Sequence, residues 1–302
     1  MKRRTFIKNS LLASGVAAMP HIRNYATPLS HTDTPQEGVF KKSIMWGNIQ
    51  LKGSILDKLK AAKDAGFAGI EPYSHLNREE VIDALKATGL TASSVCCSTH
   101  GDKPFSDPDP VIREEGFEGM RIAMEDAKAY GTDVVLLVPG RVTENVRYDE
   151  CWERSTEYIR KLLPAAEKLK VRICIENVWN KFLLSPLEAC RYVDQFNSPH
   201  VGFYFDCGNI MVFGWPEQWI HILGHRIGRI HVKEYSRKIG EEQNSIKGFD
   251  VALTEGDVNW AAILKEARKS YRGQWFTTEQ GHCQTPEELA DLSKRLDKVL
   301  ES

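Results

Sequence analysis

The feature that most constrains this chain is an alternation. From about residue 42 to residue 300, eight short apolar or β-branched runs take turns with eight amphipathic helical patterns. The strand-like runs span 42–47, 68–72, 92–97, 133–139, 171–177, 201–206, 227–234 and 273–280. The helical patterns between them carry apolar stripes at helical spacing. In the first, Ile55, Leu59, Ala62 and Ala65 share one face and Gly66 is a stop. Strands that alternate with helices, without a second block of composition, predict parallel βαβ units. Eight such units in about 260 residues predict an α/β fold, a single closed (β/α)₈ TIM barrel over residues 41–302. An open doubly wound sheet is the runner-up. No G-x-G-x-x-G follows the first strand and no Walker-type loop occurs, so no nucleotide cofactor is expected.

The first 26 residues read as an address. Arg3-Arg4, then Phe6, then a modestly apolar stretch from Leu11 to Ala18 resemble a twin-arginine export signal, with cleavage after Ala18 or Ala26. The expectation is periplasmic localisation after export in the folded state, with residues 27–40 as a Pro- and Thr-rich linker. The apolar run is too short for a stable membrane span. Removing residues 1–26 takes the 40 basic and 41 acidic side chains to 35 and 41, so the remainder carries about −6. Neither that value nor the −1 of the whole chain suggests a nucleic-acid partner. The seven cysteines form no C-x-x-C pair, and no disulfide framework is expected. A homo-oligomer is compatible with the sequence.

The late strands end on polar residues. The fifth ends at Glu176, the sixth at Asp206, the seventh carries His231 and the eighth ends at Glu279, at steps of 30, 25 and 48 residues. In a (β/α)₈ barrel the C-terminal strand ends face the active site. Three carboxylates converging there would repel one another unless a cation sat among them. Three oxygen donors and one imidazole, with no thiolate, suit Mn²⁺ best, with Mg²⁺, Co²⁺ or Zn²⁺ as alternatives. The competing reading is four separate ion pairs with basic neighbours. The longest step reflects residues 235–257, a long loop of the sort that covers a site.

These four strand ends lie within ICIEN, GFYFDCGN, IHVKEYSR and FTTEQG, and GFAGIEP and EGDVNW accompany them. In order and spacing they resemble the xylose-isomerase-like sugar phosphate isomerase/epimerase superfamily, which includes hydroxypyruvate isomerase, ketose 3-epimerases and inosose dehydratase. The resemblance covers about residues 41–300. It implies metal ligation by Glu176, Asp206, His231 and Glu279, with Glu176 and Glu279 as the catalytic acid and base. It marks Arg237 as a contact to a substrate oxygen. The chemistry implied is proton abstraction next to a carbonyl, through an enediolate that the metal stabilises. A keto-sugar isomerase or epimerase is the first reading. A lyase or hydratase on keto-sugars or 3-keto-glycosides is the second, and a non-catalytic sugar-binding barrel is less favoured. Two departures stand out. Asn209 occupies the place of the histidine in the ketose 3-epimerases' strand-six Asp-x-x-His, and Phe182 that of their second glutamate.

Other side chains are candidates for the mouth. His100, after strand three, is placed to bind substrate or relay a proton, or else lies in solvent. Lys233 points the same way as His231 and either touches a substrate oxygen or pairs with an acid. Asn209 can hydrogen-bond a substrate hydroxyl. Glu71 is a substrate contact or a structural partner. Trp46 and Trp179 are candidate walls for a sugar face, against ordinary core packing.

Overall fold

Residues 39–302 are described by the structure, a computed structural model. The expected leader at 1–26 and most of the linker lie outside the described residues. The strands are β1 (Lys41–Met45), β2 (Gly69–Glu71), β3 (Thr91–Ala92), β4 (Val95–Cys96), β5 (Val134–Leu137), β6 (Arg172–Glu176), β7 (Val201–Asp206), β8 (Ile227–Val232) and β9 (Trp275–Thr278). All pair in parallel, in the order β3-β2-β1-β9-β8-β7-β6-β5-β4. The two ends of that order are consecutive pieces of one strand, so the sheet curls into a nearly closed TIM barrel.

That broken strand is the main departure from the expected pattern. Residues 92–97 read as one run, but Ser93 and Ser94 interrupt it. The hydroxyl of Ser93 meets Ser43 Oγ at 2.8 Å, and that of Ser94 meets the Tyr204 hydroxyl at 3.0 Å. The Ser93 carbonyl accepts from Arg229 Nε at 2.6 Å and from Thr132 Oγ at 3.1 Å. Side chains thus supply the bonds that a strand partner would have made.

The helices are α1 (Ile55–Asp64), α2 (Arg78–Thr88), α3 (Pro110–Tyr130), α4 (Tyr148–Leu169), α5 (Pro186–Asp194), α6 (Cys207–Ile210), α7 (Pro216–Leu223), α8 (Arg237–Glu242), α9 (Trp260–Ser270) and α10 (Pro286–Glu301). Their ends follow local chemistry. Ser54 and Asp57 close a capping box on α1, as Thr285 and Glu288 do on α10. Left-handed Gly89 and Gly131 terminate α2 and α3. Strand and helix side chains form one continuous outer core. A separate cluster of Met45, Cys96, Val134, Leu136, Cys174 and Tyr204 fills the barrel interior, so the barrel is packed and not a pore. All seven cysteines are free. Among the described residues no helix is long and apolar enough to cross a membrane.

The long loop after β8 is ordered. It holds α8 and a 3₁₀ turn, Ser245–Phe249, and two buried side chains anchor it. Glu234 accepts from the backbone N–H of Thr254 (2.9 Å) and Val258 (3.1 Å) and from Trp260 Nε1 (2.9 Å). Gln280 Nε2 donates to the carbonyls of Phe249 (3.1 Å) and Val251 (2.7 Å), while its Oε1 accepts from Glu234 N at 2.7 Å. The return of the loop passes so close that a Cβ on Gly256 would lie 2.6 Å from Glu234 Oε1. Glycine is required there for space.

Candidate functional site

Four neighbouring strands deliver polar side chains to the C-terminal mouth. Glu176 and Asp206 are the last residues of β6 and β7, His231 is the last but one of β8, and Glu279 directly follows β9. One oxygen or nitrogen from each lies within 4.8 Å of the others. The inward set follows from strand alternation: Cys174 and Glu176, or Arg229 and His231, lie two apart on one face.

Each donor is oriented from behind. Asp206 Oδ1 caps α6 by accepting from Asn209 N at 2.7 Å, which turns Oδ2 into the mouth. Asn177 braces the same strand end: its Nδ2 donates to Asp206 O and its Oδ1 accepts from Asp206 N, both at 2.9 Å. His231 Nε2 lies 3.1 Å from Glu71 Oε1. Its Nδ1 is 2.9 Å from Glu176 Oε1 and 3.3 Å from Glu279 Oε2. Nδ1 is therefore the ring nitrogen presented to the cluster, and Glu71 fixes the ring as second partners of ligating histidines commonly do.

The electrostatics set the two glutamates apart. Burial pushes Glu176 up to about 7, against the lowering influence of His231. Burial acts on Glu279 as well, but Lys233 and His231 outweigh it and hold its carboxyl well below the usual range. Burial also raises Asp206, with Lys233 opposing. Lys233 Nζ stands 3.1 Å from Asp206 Oδ2 and 2.8 Å from Glu279 Oε2. Burial disfavours its charge, yet the two acids keep it protonated.

These residues fit a divalent cation. Asp206 Oδ2 and Glu279 Oε2 are buried and receive no aligned hydrogen bond, although Lys233 is near. Two carboxylates about 4 Å apart repel by roughly 4 kcal/mol at an effective dielectric of about 20. Lys233 and His231 offset part of that repulsion, and a divalent cation in the place of the His231 proton would offset more. The donor set is oxygen-rich with one imidazole, the chemistry of a hard cation.

The remaining candidates divide. Lys233, Asn209 and Trp179 line a chamber of about 300 Å³ over Glu176 and Glu279. Trp179 Nε1 donates to Asn209 O at 2.9 Å, and Asn209 Oδ1 accepts from Lys233 at 3.4 Å. His100 is half-buried. Its Nδ1 accepts from Val138 N at 3.3 Å, which leaves the proton on Nε2, and burial pushes the imidazole down to about 4. Arg237 sits at the start of α8, where it donates to Gly214 O at 2.7 Å and stacks on Trp215 at 5.3 Å.

For Glu71 and Trp46 the structure favours the second of the two alternatives, a structural role. Glu71 is fully buried and no substrate contact: its oxygens are engaged by His231, Ser94 and the Tyr204 hydroxyl. Trp46 is no wall of the mouth. Met45 takes the inward position at the end of β1, so its neighbour turns outward, under Lys58 Nζ at 4.9 Å. Sequence reading missed Asn177, Glu234 and Gln280. Each directly follows a residue that matters, or stands two beyond one, and only their bonds reveal what they do.

The fold and the four-strand constellation define a class. The chain belongs to the xylose isomerase-like TIM barrel family, whose pattern matches residues 59–299. Among relatives, it is 26% identical over 278 residues to L-ribulose-5-phosphate 3-epimerase UlaE of Escherichia coli O1:K1 / APEC, covering 87% of this chain and 93% of that protein. Among solved structures it is similar to the 3-keto-D-glucoside 4-epimerase YcjR of E. coli in its apo form. That likeness has a TM-score of 0.73 at 18% identity and covers 87% of this chain and 100% of that one. An L-ribulose 3-epimerase structure matches with a TM-score of 0.72 at 16% identity, covering 87% and 95%. At these identities the structural matches speak for the fold.

Proposed function

We propose that the protein is a divalent-metal-dependent sugar epimerase or isomerase that moves a proton on the carbon next to a carbonyl. The carrying observation is the quartet: four donors from four successive strands within 4.8 Å of one another, two of them glutamates with opposed proton affinities. A relative named for 3-epimerisation of L-ribulose 5-phosphate, and a structural neighbour named for 4-epimerisation of a 3-keto-D-glucoside, support the class.

Glu176, Asp206, His231 and Glu279 would hold the cation, with Mn²⁺ the best match to the donors. Once bound, it would polarise the substrate carbonyl and offset the charge that builds on that oxygen. The protein's own groups do the rest. One of Glu176 and Glu279 takes the proton from the carbon beside the carbonyl. The other returns a proton, on the opposite face for epimerisation. Two carboxyls whose environments push them apart are the pattern expected of an acid–base pair. Lys233 steadies Glu279 and presents a positive charge to a substrate oxygen. Trp179 and Phe249, 5.1 Å apart, wall the chamber with apolar faces suited to a sugar ring. His100, neutral at physiological pH, offers an Nε2–H as a hydrogen-bond donor.

A twin-arginine leader at 1–26, expected from the sequence, would send the protein to the periplasm, where sugars are unphosphorylated. The test is solvent deuterium exchange, with Mn²⁺-supplemented protein, on a panel of free ketoses and keto-glycosides. Exchange into an epimer or isomer supports the assignment. Release of an aglycone moves it to a lyase, and no exchange with any member refutes it.

A further inference from the structure

A second cavity opens from the catalytic chamber. It is a groove of about 880 Å³ that shares Lys233, Phe249 and Glu279 with the chamber and runs to the start of α10. One wall is the loop segment 249–253, which Gln280 holds by two carbonyls. Near the chamber, Met45 and Asn48 contribute; at the far end stand Glu287, Glu288 and Asp291. A single hexose fills on the order of 200 Å³, the volume of about seven waters. The chamber alone suffices for it. The groove is of the size that takes a further residue of a larger ligand.

Its polarity narrows what that residue is. Asp250, Glu287, Glu288 and Asp291 line the groove against two basic side chains, Lys233 and Arg295, with His282 beside them. Lys233 is committed to Asp206 and Glu279. Arg295 is committed to Asp291 and Glu255, each at 2.6 Å. The N-terminus of α10 is already engaged by its own capping box: Thr285 Oγ accepts from Glu288 N, and the Glu288 carboxylate accepts from the N–H groups of Gln284 and Thr285. Asp250 is paired with Lys247 at 2.7 Å and Asp291 with Arg295, so a phosphate dianion would find no free cation and would face Glu287 and Glu288, whereas sugar hydroxyls can donate to these carboxylates. One lining residue also carries an unpartnered polar atom. Asn48 is buried, and its Oδ1 has no partner although Nδ2 donates to Gly281 O.

We infer that the substrate is a neutral, unphosphorylated keto-glycoside: the reacting ring sits in the chamber, and a second sugar residue, linked to it, lies in the groove. This rests on the proton-transfer reading above and adds a subsite to it. The chemistry carries a corollary. A glycoside has its anomeric carbon locked as an acetal, so the carbonyl that acidifies the C–H must be a ketone on the ring. An enzyme that oxidises a secondary alcohol of the intact glycoside must therefore precede this one.

The test compares matched pairs with the Mn²⁺-loaded full chain. Solvent deuterium uptake is followed in 3-keto-maltose and 3-keto-cellobiose, each with its ketone on the non-reducing ring, and in the methyl 3-keto-α- and β-glucosides. L-ribulose 5-phosphate and free ketoses complete the set. The expected result is a kcat/KM at least ~10-fold higher for one disaccharide than for its methyl glycoside, since remote contacts contribute to the reacting step. Uptake into the phosphate ester should be negligible. Glu287→Arg should reduce the disaccharide-to-methyl ratio to within about twofold of one. Disaccharides no better than their methyl glycosides, or a ratio that E287R leaves unmoved, overturn the groove assignment. Exchange confined to free ketoses or to the phosphate ester does the same and leaves the proton-transfer reading standing. No exchange with any probe removes both.

Discussion

The two ends of the barrel are built from the same strands and treat charge in opposite ways. At the N-terminal end, β6 supplies Arg172 and β8 supplies Arg229. Arg172 donates to the carbonyls of Val201 (3.3 Å) and Arg226 (3.0 Å). Arg229 donates to those of Ser93 (2.6 Å) and Gly228 (2.8 Å), and meets Asp133 Oδ1 at 2.6 Å. These guanidinium groups have their partners. At the C-terminal end the same two strands supply Glu176 and His231, and there buried carboxylate oxygens lack aligned donors. The closed end is arranged for stability. The open end keeps like charges together at a cost that a further positive charge would offset.

Breaking the open end should abolish chemistry and spare the fold. Glu176→Gln is expected to lower kcat by about 10³-fold. Its Tm, measured after chelation, should not fall, because one of three repelling carboxylates has become neutral. Breaking the closed end should do the reverse. Arg229→Met leaves the Ser93 carbonyl without its strongest donor, and denaturant unfolding should show a loss of about 2–3 kcal/mol. Activity per folded molecule should hardly change.

Glu71 links the two ends and sharpens the contrast. Glu71→Gln keeps the shape but weakens the partner that aligns His231. Calorimetric titration with Mn²⁺ should show affinity reduced by about 10–100-fold. The smallest effect concerns His100. Its folded value of about 4 lies below the usual 6.5, so protonation favours the unfolded chain. Stability should therefore fall as pH drops from 6.5 towards 4, and His100→Asn should flatten that limb by about 1 kcal/mol in paired chemical denaturations.

Much of this was legible in the sequence because it depends on period and spacing. Apolar runs separated by helical stripes specify a barrel, and 176, 206, 231 and 279 fall at strand ends that must converge. What the sequence left dark depends on side-chain direction and on bonds between distant segments. Glu71 reads like any other polar strand end, yet it lies beneath His231, one layer further in. Trp46 stands one residue beyond an inward position, and that single step turns it to the outer face. Ser93 and Ser94 sit in a run that looks continuous, and only their hydroxyl partners break it. Glu234 and Gln280 pass for solvent-facing polar residues until the loop that they hold is seen folded over them.

The central claim is that these four side chains form a single site for a divalent ion. Protein stripped of metal and titrated with Mn²⁺, with bound ion counted by paramagnetic resonance and mass spectrometry, tests it directly. The account predicts one equivalent bound per chain in the wild type and none at the same concentrations in Asp206→Asn or His231→Ala. Zero equivalents in the wild type, or one that persists undiminished in both variants, would contradict it.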